Sequence, residues 1–252
     1  MDPISILVID LSLLPFLVIQ LTKKFIFFTT FSLFAIFLHG IYLFGPQIIY
    51  FLLIIYLIST VIELISLKTS LNFFGIKYSY SLNHPFFSSG IALMGVYPLE
   101  VSLSWVILKY ISFTIALLIS QAFSISHFWI IFLSPLILLS QDLIIDPVAV
   151  NKTKLWKWEK GSAYFGIPVQ NFIGWYLVGF ISSLIFSFID TGRTVTFHPL
   201  YILPVIFYAM IIRNMALIFR IDKVKAFFGS LPAVIWTILG IGSLIILYLK
   251  QG

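Results

Sequence analysis

The sequence predicts an all-α membrane protein, a polytopic bundle of about eight transmembrane helices. Two observations lead to this prediction: 61% of the 252 residues are hydrophobic and only 10% are charged, and the apolar residues form long runs. Soluble domains contain roughly a quarter charged residues, whereas a transmembrane helix needs about 20 mostly apolar residues. Such runs cover residues 4–22, 25–45, 47–67, 90–121, 127–146, 169–189, 199–219 and 231–249.

Individual segments follow from local signals. Met1-Asp2-Pro3 leads directly into the first run without a basic leader or a small-residue cleavage site, so we expect this run to remain as a helix. The fourth run is too long for one straight span, and Pro98 within it predicts a kink or a short lead-in segment. No internal repeat or linker is visible, so we expect residues 1–252 to form a single integral membrane domain. The absence of cysteine excludes disulfides and thiolate chemistry.

Basic residues alternate between the connections. Eleven lie after the first, third, fifth and seventh runs: Lys23, Lys24, Lys68, Lys77, Lys152, Lys154, Lys157, Lys160, Arg220, Lys223 and Lys225. The other connections contain only Arg193. Since cytoplasmic loops are enriched in Lys and Arg, we expect the basic loops in the cytoplasm and both termini outside, in a cell membrane. The net charge of +6 follows this pattern and does not predict nucleic-acid binding.

Polar residues collect at one level of the predicted bundle. Five helices carry such residues near their cytoplasmic ends: Glu63, Glu100, Asp142 with Asp146, Asn171, and Arg213 with Asn214. Ionisable groups inside membrane spans are expensive and are therefore candidates for function.

The strongest candidates are Asp142 and Asp146, whose spacing places both carboxyl groups on one helix face. Two carboxylates in a low-dielectric site cannot both ionise at low cost, which leaves a neutral acid at about pH 7 that can protonate a weak base. The alternative is structural: Asp146-Pro147 ends the helix, and Asp142 pairs with Arg213 or Lys109.

Two longer cytoplasmic loops, residues 68–89 and 146–169, are rich in aromatic side chains, which suit the headgroup region. For Trp156 and Trp158, interfacial anchoring is therefore one interpretation. The histidines have no metal-ligand spacing and the glycines do not form a phosphate loop, so we expect neither a metal nor a cofactor.

Three stretches carry a resemblance to a known family. The first is Glu63 with Phe74-Gly75 and Tyr78-x-Tyr80, and the second is the sequence GVYPLEVSLSW at residues 95–105. The third is DLIIDPVA at residues 142–149, followed by Trp156, Trp158, Gly161, Tyr164, Phe165-Gly166-Ile167-Pro168 and Asn171-Phe172-x-Gly174-Trp175. These stretches, which span nearly half the chain, resemble the integral-membrane carotenoid biosynthesis proteins that include bisanhydrobacterioruberin hydratase.

The resemblance implies a cofactor-independent hydratase that adds water across the terminal C=C bond of an acyclic C40 or C50 carotenoid. A carboxylic acid would protonate the alkene, and water would capture the tertiary carbocation. The catalytic candidates are Asp142, Asp146, Glu63 and Glu100; the substrate-binding candidates are Asn171, Trp175, Tyr78, Tyr80, Trp105 and Tyr164. The implied partners are a lipophilic carotenoid, membrane lipids and other membrane enzymes of the pathway.

Two other functions remain open. Pro98-Leu99-Glu100 resembles the Pro-x-Glu motif of small membrane lycopene cyclases, which share the protonation step but trap the cation with a neighbouring double bond. A proton- or cation-coupled transporter would use the same buried carboxyl groups. That class of protein is built from repeats with broken helices at the midplane, for which the sequence gives no sign.

Overall fold

The computed structural model describes residues 2–190 and 195–251, and Arg193 therefore lies outside the described residues. Eight helical segments in this part of the chain are long and apolar enough to cross a membrane, which confirms the prediction of an all-α multi-pass bundle. The helices are α1 (Pro3–Thr22), α2 (Phe25–Phe44), α3 (Ile48–Lys68), α4 (Leu99–Ala122), α5 (Ile130–Asn151), α6 (Val169–Ser187), α7 (Ile202–Ile212), α8 (Met215–Phe219) and α9 (Lys223–Leu249). The strands are β1 (Tyr78–Tyr80), β2 (Ala92–Leu93), β3 (Tyr97–Pro98) and β4 (Trp156–Trp158).

The fourth span begins later than the apolar run. Pro98 is the N-cap of α4 and has extended backbone angles, so the helix starts at Leu99. The preceding residues form a short hairpin in which β2 pairs antiparallel with β3. Of the two predictions for this proline, the lead-in segment is therefore the one that the fold adopts.

The fifth span continues beyond its predicted end at Asp146. Pro147 lies inside α5, which ends only at Asn151. A proline inside a helix has no N–H for the carbonyl four residues earlier, and here that carbonyl belongs to Leu143. The Tyr164 hydroxyl donates to the Leu143 carbonyl at 2.6 Å and replaces the missing bond. Tyr164 thus allows the helix to pass through Pro147 and carry Asp146 within it.

The last two spans also differ from their predicted limits. The seventh is divided into α7 and α8 at Arg213 and Asn214, and the Arg213 side chain is exposed. The eighth begins at Lys223 instead of residue 231 because Asp222 caps α9, accepting the backbone N–H of Lys225 at 3.1 Å.

Helix α4 lies at the centre of the bundle and contacts α2, α3, α5, α7 and α9. The connections that carry the predicted cytoplasmic lysines lie at one end of the bundle, here called the basic end. There the backbone N–H of Ile26, in the first turn of α2, donates to Ser88 at 3.2 Å. At the opposite end Lys250, which follows α9, donates to the carbonyl of Ala122 at 2.9 Å. The polar residues predicted to share a level can therefore be placed relative to these two ends.

Candidate functional site

A two-stranded aromatic ribbon, β1 with β4, covers the basic end of the bundle. The strands are antiparallel, and their aromatic pairs are Tyr78 with Trp158 and Tyr80 with Trp156. Because side chains alternate along a strand, these four rings share one face, while Ser79 and Lys157 lie on the other and are exposed. The ring face lines a cavity inside the bundle. Trp156 and Trp158 therefore line this cavity, a role that interfacial anchoring alone does not explain.

Two glycines allow the loop before the ribbon to pack closely on α6. Gly75 has φ of +93°, and a Cβ there would lie 2.4 Å from Cβ of Gln170 in the first turn of α6. One turn further, a Cβ on Gly174 would lie 2.4 Å from the ring of Phe74. The loop before β1 can pack this closely on α6 only because both positions lack a side chain. Phe74-Gly75 of the first stretch and Gly174 of the third stretch are thus parts of one contact.

Glu63 lies directly beneath the ribbon and is 4% exposed. Its Oε2 accepts hydrogen bonds from the phenols of Tyr78 and, at 3.2 Å, Tyr80. Its Oε1 accepts the indole N–H of Trp105 at 3.3 Å. Burial and the neighbouring Glu63 carboxylate raise the pKa of both tyrosines well above its usual value. Both phenols therefore stay protonated and act as hydrogen-bond donors.

The two aspartates of α5 face Asn171 in the first turns of α6. Asn171 donates its side-chain amide to Asp142 Oδ2 at 2.9 Å and to Asp146 Oδ2 at 2.7 Å. The two carboxyl groups also lie within hydrogen-bonding reach of each other. No N–H or hydroxyl of the described residues donates to Asp142 Oδ1, which is buried. A single proton held between the two carboxyl groups would reduce their repulsion.

A small cavity of about 20 Å³ lies between these groups. That volume is close to the space that a single water molecule requires. Its walls are Glu63, Tyr78, Tyr80, Val101, Asp146, Trp156, Trp158, Asn171 and Trp175. Trp175 forms the aromatic floor of this cavity, and its indole stacks on that of Trp105 with the centroids 3.8 Å apart. We refer to this enclosure as the site cavity.

Other predicted site residues lie elsewhere or have a structural contact. Glu100 does not line the site cavity: its carboxylate accepts the backbone N–H of Ser89 at 2.7 Å and the hydroxyl of Ser89 at 3.0 Å. Tyr164 supports α5 through Leu143 and does not line the cavity. Within the described part of the chain, Asp142 forms no ion pair with Lys109 or Arg213, so the pairing predicted for Asp142 by the structural alternative is wrong.

Three aromatic residues at or next to the site are not among the predicted site residues: Trp156 and Trp158 of the ribbon, and Tyr97 of the hairpin. Tyr97 is fully buried, packs against Tyr80, and its hydroxyl has no hydrogen-bond partner among the described residues. The sequence does contain one signal for the ribbon: Tyr-x-Tyr and Trp-x-Trp share the two-residue period of a strand with one aromatic face. Two such segments in neighbouring loops are typical of strands that can pair.

Comparison with known proteins identifies the family. Curated proteins and solved structures gave no match. The family model described as "Carotenoid biosynthesis protein" matches residues 24–243, a range that includes every carboxylate and aromatic residue of the site cavity. This range covers far more than half of the chain and supports a role in carotenoid biosynthesis. The chain therefore belongs to the carotenoid biosynthesis protein family, as the three stretches of its sequence predict.

Proposed function

We propose that this protein is a carotenoid hydratase that adds water across the terminal C=C bond of an acyclic C40 or C50 carotenoid. The observation that carries the proposal is the site cavity, where Asp146, Glu63 and Asn171 surround a space of one water molecule. Hydration needs an acid, a base and a held water, and this enclosure provides groups for all three. The proposed reaction needs no redox change.

The first step is protonation of the alkene. The neutral carboxyl group of the Asp142–Asp146 pair transfers its proton to the less substituted carbon of the terminal bond. The π electrons form the new C–H bond, and the positive charge remains on the tertiary carbon. A buried pair that shares one proton always contains one acid and one base, which is the combination this step and the next require.

The second step is capture of the cation by water. The oxygen of water bonds to the tertiary carbon, and a carboxylate of the aspartate pair removes the extra proton. Asn171, which donates to both aspartates, holds the carboxyl groups in place while one proton leaves the pair and another returns to it. One H and one OH have then been added, and the pair is again singly protonated.

The aromatic walls supply the remaining requirement, a surface that tolerates a cation but does not react with it. The ring faces of Trp175, Trp156 and Trp158 border the space in which the cation forms. Cation–π contacts in desolvated sites contribute about 2 kcal/mol. The same rings exclude additional water from the intermediate.

Access of the substrate requires movement of the aromatic ribbon. A cavity of about 20 Å³ accommodates a water molecule but not an isoprenoid end group. The ribbon is joined to the bundle by loops, whereas the other walls belong to packed helices, so the ribbon is the wall that can open. We propose that a carotenoid end group enters from the bilayer when the ribbon lifts.

Two features of the site favour hydration over cyclisation. The carboxylate of Glu100, in the Pro-x-Glu element, accepts two hydrogen bonds from Ser89 in the loop before β2. It is therefore held away from the site cavity, where a cyclase would use it as the acid. The small space beside Asn171 and Asp146 suits a water molecule better than a folded polyene end. The predicted orientation also enters the proposal: if the basic end is cytoplasmic, the acid site opens toward the cytoplasmic leaflet.

Expression in cells that accumulate lycopene, or its elongated C50 relative, tests the proposal. Pigments are extracted and measured by mass spectrometry and retention time. A hydratase increases the mass of the carotenoid by one or two molecules of water. An altered retention time at unchanged mass would instead identify a cyclase, and unchanged pigment from folded protein with both substrates would contradict both activities.

A further inference from the structure

The phenol of Tyr164 contacts three helices at the basic end, although it does not line the site cavity. Its ring packs edge-on against Phe165, with the centroids 4.9 Å apart, and against Phe172 of α6, with the centroids 5.4 Å apart. Its hydroxyl donates to the Leu143 carbonyl of α5 at 2.6 Å. The third helix is α9, where a Cβ on Gly229 would lie 1.9 Å from the hydroxyl oxygen. The phenol therefore joins α5, α6 and α9 at one point.

Gly229 leaves the space that this phenol occupies. It is a buried residue in the second turn of α9, and a Cβ there would also lie 2.9 Å from Cζ of Tyr164. Since non-bonded atoms pack at about 3.5 Å, any larger residue would displace the hydroxyl by roughly 1 Å or more. A displacement of that size is enough to break the hydrogen bond to Leu143. The bond between the phenol and α5 thus depends on the missing side chain in α9.

The acceptor of this bond lies between the two aspartates of α5. Leu143 follows Asp142 directly, and its carbonyl is the one that Pro147 leaves without an N–H. Asp146 precedes that proline in the same turn. If the carbonyl lost the phenol as well, the helix could kink at this turn. The separation of the two carboxyl groups, and their bonds to Asn171 at 2.9 Å and 2.7 Å, would then change.

We propose that Tyr164 is a positioning residue for the aspartate pair and that Gly229 of α9 holds it against Leu143. The proposal rests on the hydratase function proposed above, and it gives Tyr164 a role other than the substrate contact predicted from the sequence. The phenol does not touch the reacting atoms; it fixes the turn of α5 that carries both carboxyl groups. A catalytic group misplaced by about 1 Å can lower a rate about 100-fold. The described walls of the site cavity include no residue of α9, yet this helix thereby sets the geometry of the acid.

Three variants of the full-length protein test this role: Tyr164→Phe, Gly229→Ala and the two combined. Their kcat and KM are measured with the carotenoid that the pigment assay identifies, per amount of folded protein. Tyr164→Phe keeps the ring but loses the bond to Leu143, so kcat should fall roughly tenfold while KM stays unchanged. Gly229→Ala displaces the whole phenol and should lower kcat roughly 100-fold. In the combined variant no hydroxyl meets the new Cβ, so kcat should return to the value of Tyr164→Phe.

Gly242→Ala is the matched control in the same helix. A Cβ at Gly242 meets no atom within 4 Å, so this variant should have the kcat and KM of the wild type. If Gly229→Ala does not fold, Tyr164→Phe and the combined variant still test the contact. A combined variant that is less active than both single variants would contradict the contact between Tyr164 and Gly229, and a wild-type kcat in Tyr164→Phe would overturn the positioning role.

Infrared spectroscopy of the purified protein separates the positioning role from the proposed reaction, because it needs no turnover. The stretching bands of a carboxyl group depend on its hydrogen bonds, and the bands of the aspartate pair are those that Asp142→Asn combined with Asp146→Asn removes. These bands should shift in Tyr164→Phe and stay in place in Gly242→Ala. A shift in a protein that leaves the carotenoids unchanged would overturn the hydratase and support the positioning role. Unchanged bands in Tyr164→Phe would overturn the positioning role whatever reaction the protein catalyses.

Discussion

The indole of Trp105 stacks on that of Trp175 with their centroids 3.8 Å apart and their planes inclined by 22°. The pair joins α4 to α6, and its two members face different groups: Trp105 donates to Glu63, whereas Trp175 lines the site cavity. The stack separates the carboxyl groups from the buried Lys109, one turn further along α4. It thus confines the proposed chemistry to the basic end, and Trp175 provides one of the ring faces beside a cation formed there.

Substitution of Trp175 tests this role. In Trp175→Ala the cation loses a ring face and the cavity gains room for water, so hydration should fall by roughly 30-fold, corresponding to about 2 kcal/mol. Trp175→Phe keeps an aromatic face and should retain most of the activity. Trp129→Ala, an exposed tryptophan at the opposite end, is the control. Product is measured per amount of folded protein; equal activity in the Ala and wild-type proteins would exclude a role for the ring.

The aspartate pair allows a direct test of acid–base catalysis. Asp142→Asn and Asp146→Asn each preserve shape and the bond to Asn171 but remove the transferable proton or its acceptor. Each should reduce product formation by at least about 100-fold, the contribution usual for a positioned acid or base. Asp222→Asn, at the exposed cap of α9, should leave the rate unchanged. An active Asp146→Asn variant would place the acid elsewhere.

The sequence predicts the bundle well because span length and loop charge depend only on local composition. The Asp142–Asp146 pair is predictable for the same reason, since both residues share one helix face. The pairing of the ribbon strands cannot be predicted in this way, because β1 and β4 lie far apart in the chain and each is only three residues long. The contact of Glu100 with Ser89 depends on two hydrogen bonds and the continuation of α5 through Pro147 on one. Such contacts leave no periodic signal in the sequence.

Glu100 and Glu63 should respond differently to the same substitution. Glu100→Gln weakens the two bonds to Ser89 and should lower the free energy of unfolding by about 1–3 kcal/mol, while the activity per folded molecule stays within a few-fold of wild type. Glu63→Gln should instead lower the activity, because Glu63 lines the site cavity. Thermal denaturation and pigment analysis separate the two effects. Loss of activity in a well-folded Glu100→Gln protein would favour the cyclase-like use of this glutamate.

The packing of the ribbon loop on α6 predicts a steric effect at Gly174. A Cβ there would lie 2.4 Å from the Phe74 ring, so Gly174→Ala should displace the loop and destabilise the protein by about 1–3 kcal/mol. Gly242→Ala in α9 is the matched control, because a Cβ at Gly242 meets no atom within 4 Å. The smaller ring-free side chain in Phe74→Leu should relieve the effect of Gly174→Ala. If Gly174→Ala were as stable as wild type, the loop would not be held by this contact.

Cross-linking the ribbon tests how the carotenoid gains access. Ser79 and Lys157 are directly opposed on the exposed face of the ribbon, and the protein contains no cysteine, so Ser79→Cys with Lys157→Cys creates one defined pair at a separation suitable for a disulfide. The substituted side chains point away from the site cavity. If the strands must part to admit an end group, oxidation should abolish turnover, and a reductant should restore it. The single variants under the same oxidant are the controls. Full activity of the oxidised double variant would show that the strands stay paired, so that the end group enters when the ribbon lifts as one unit or passes between the helices.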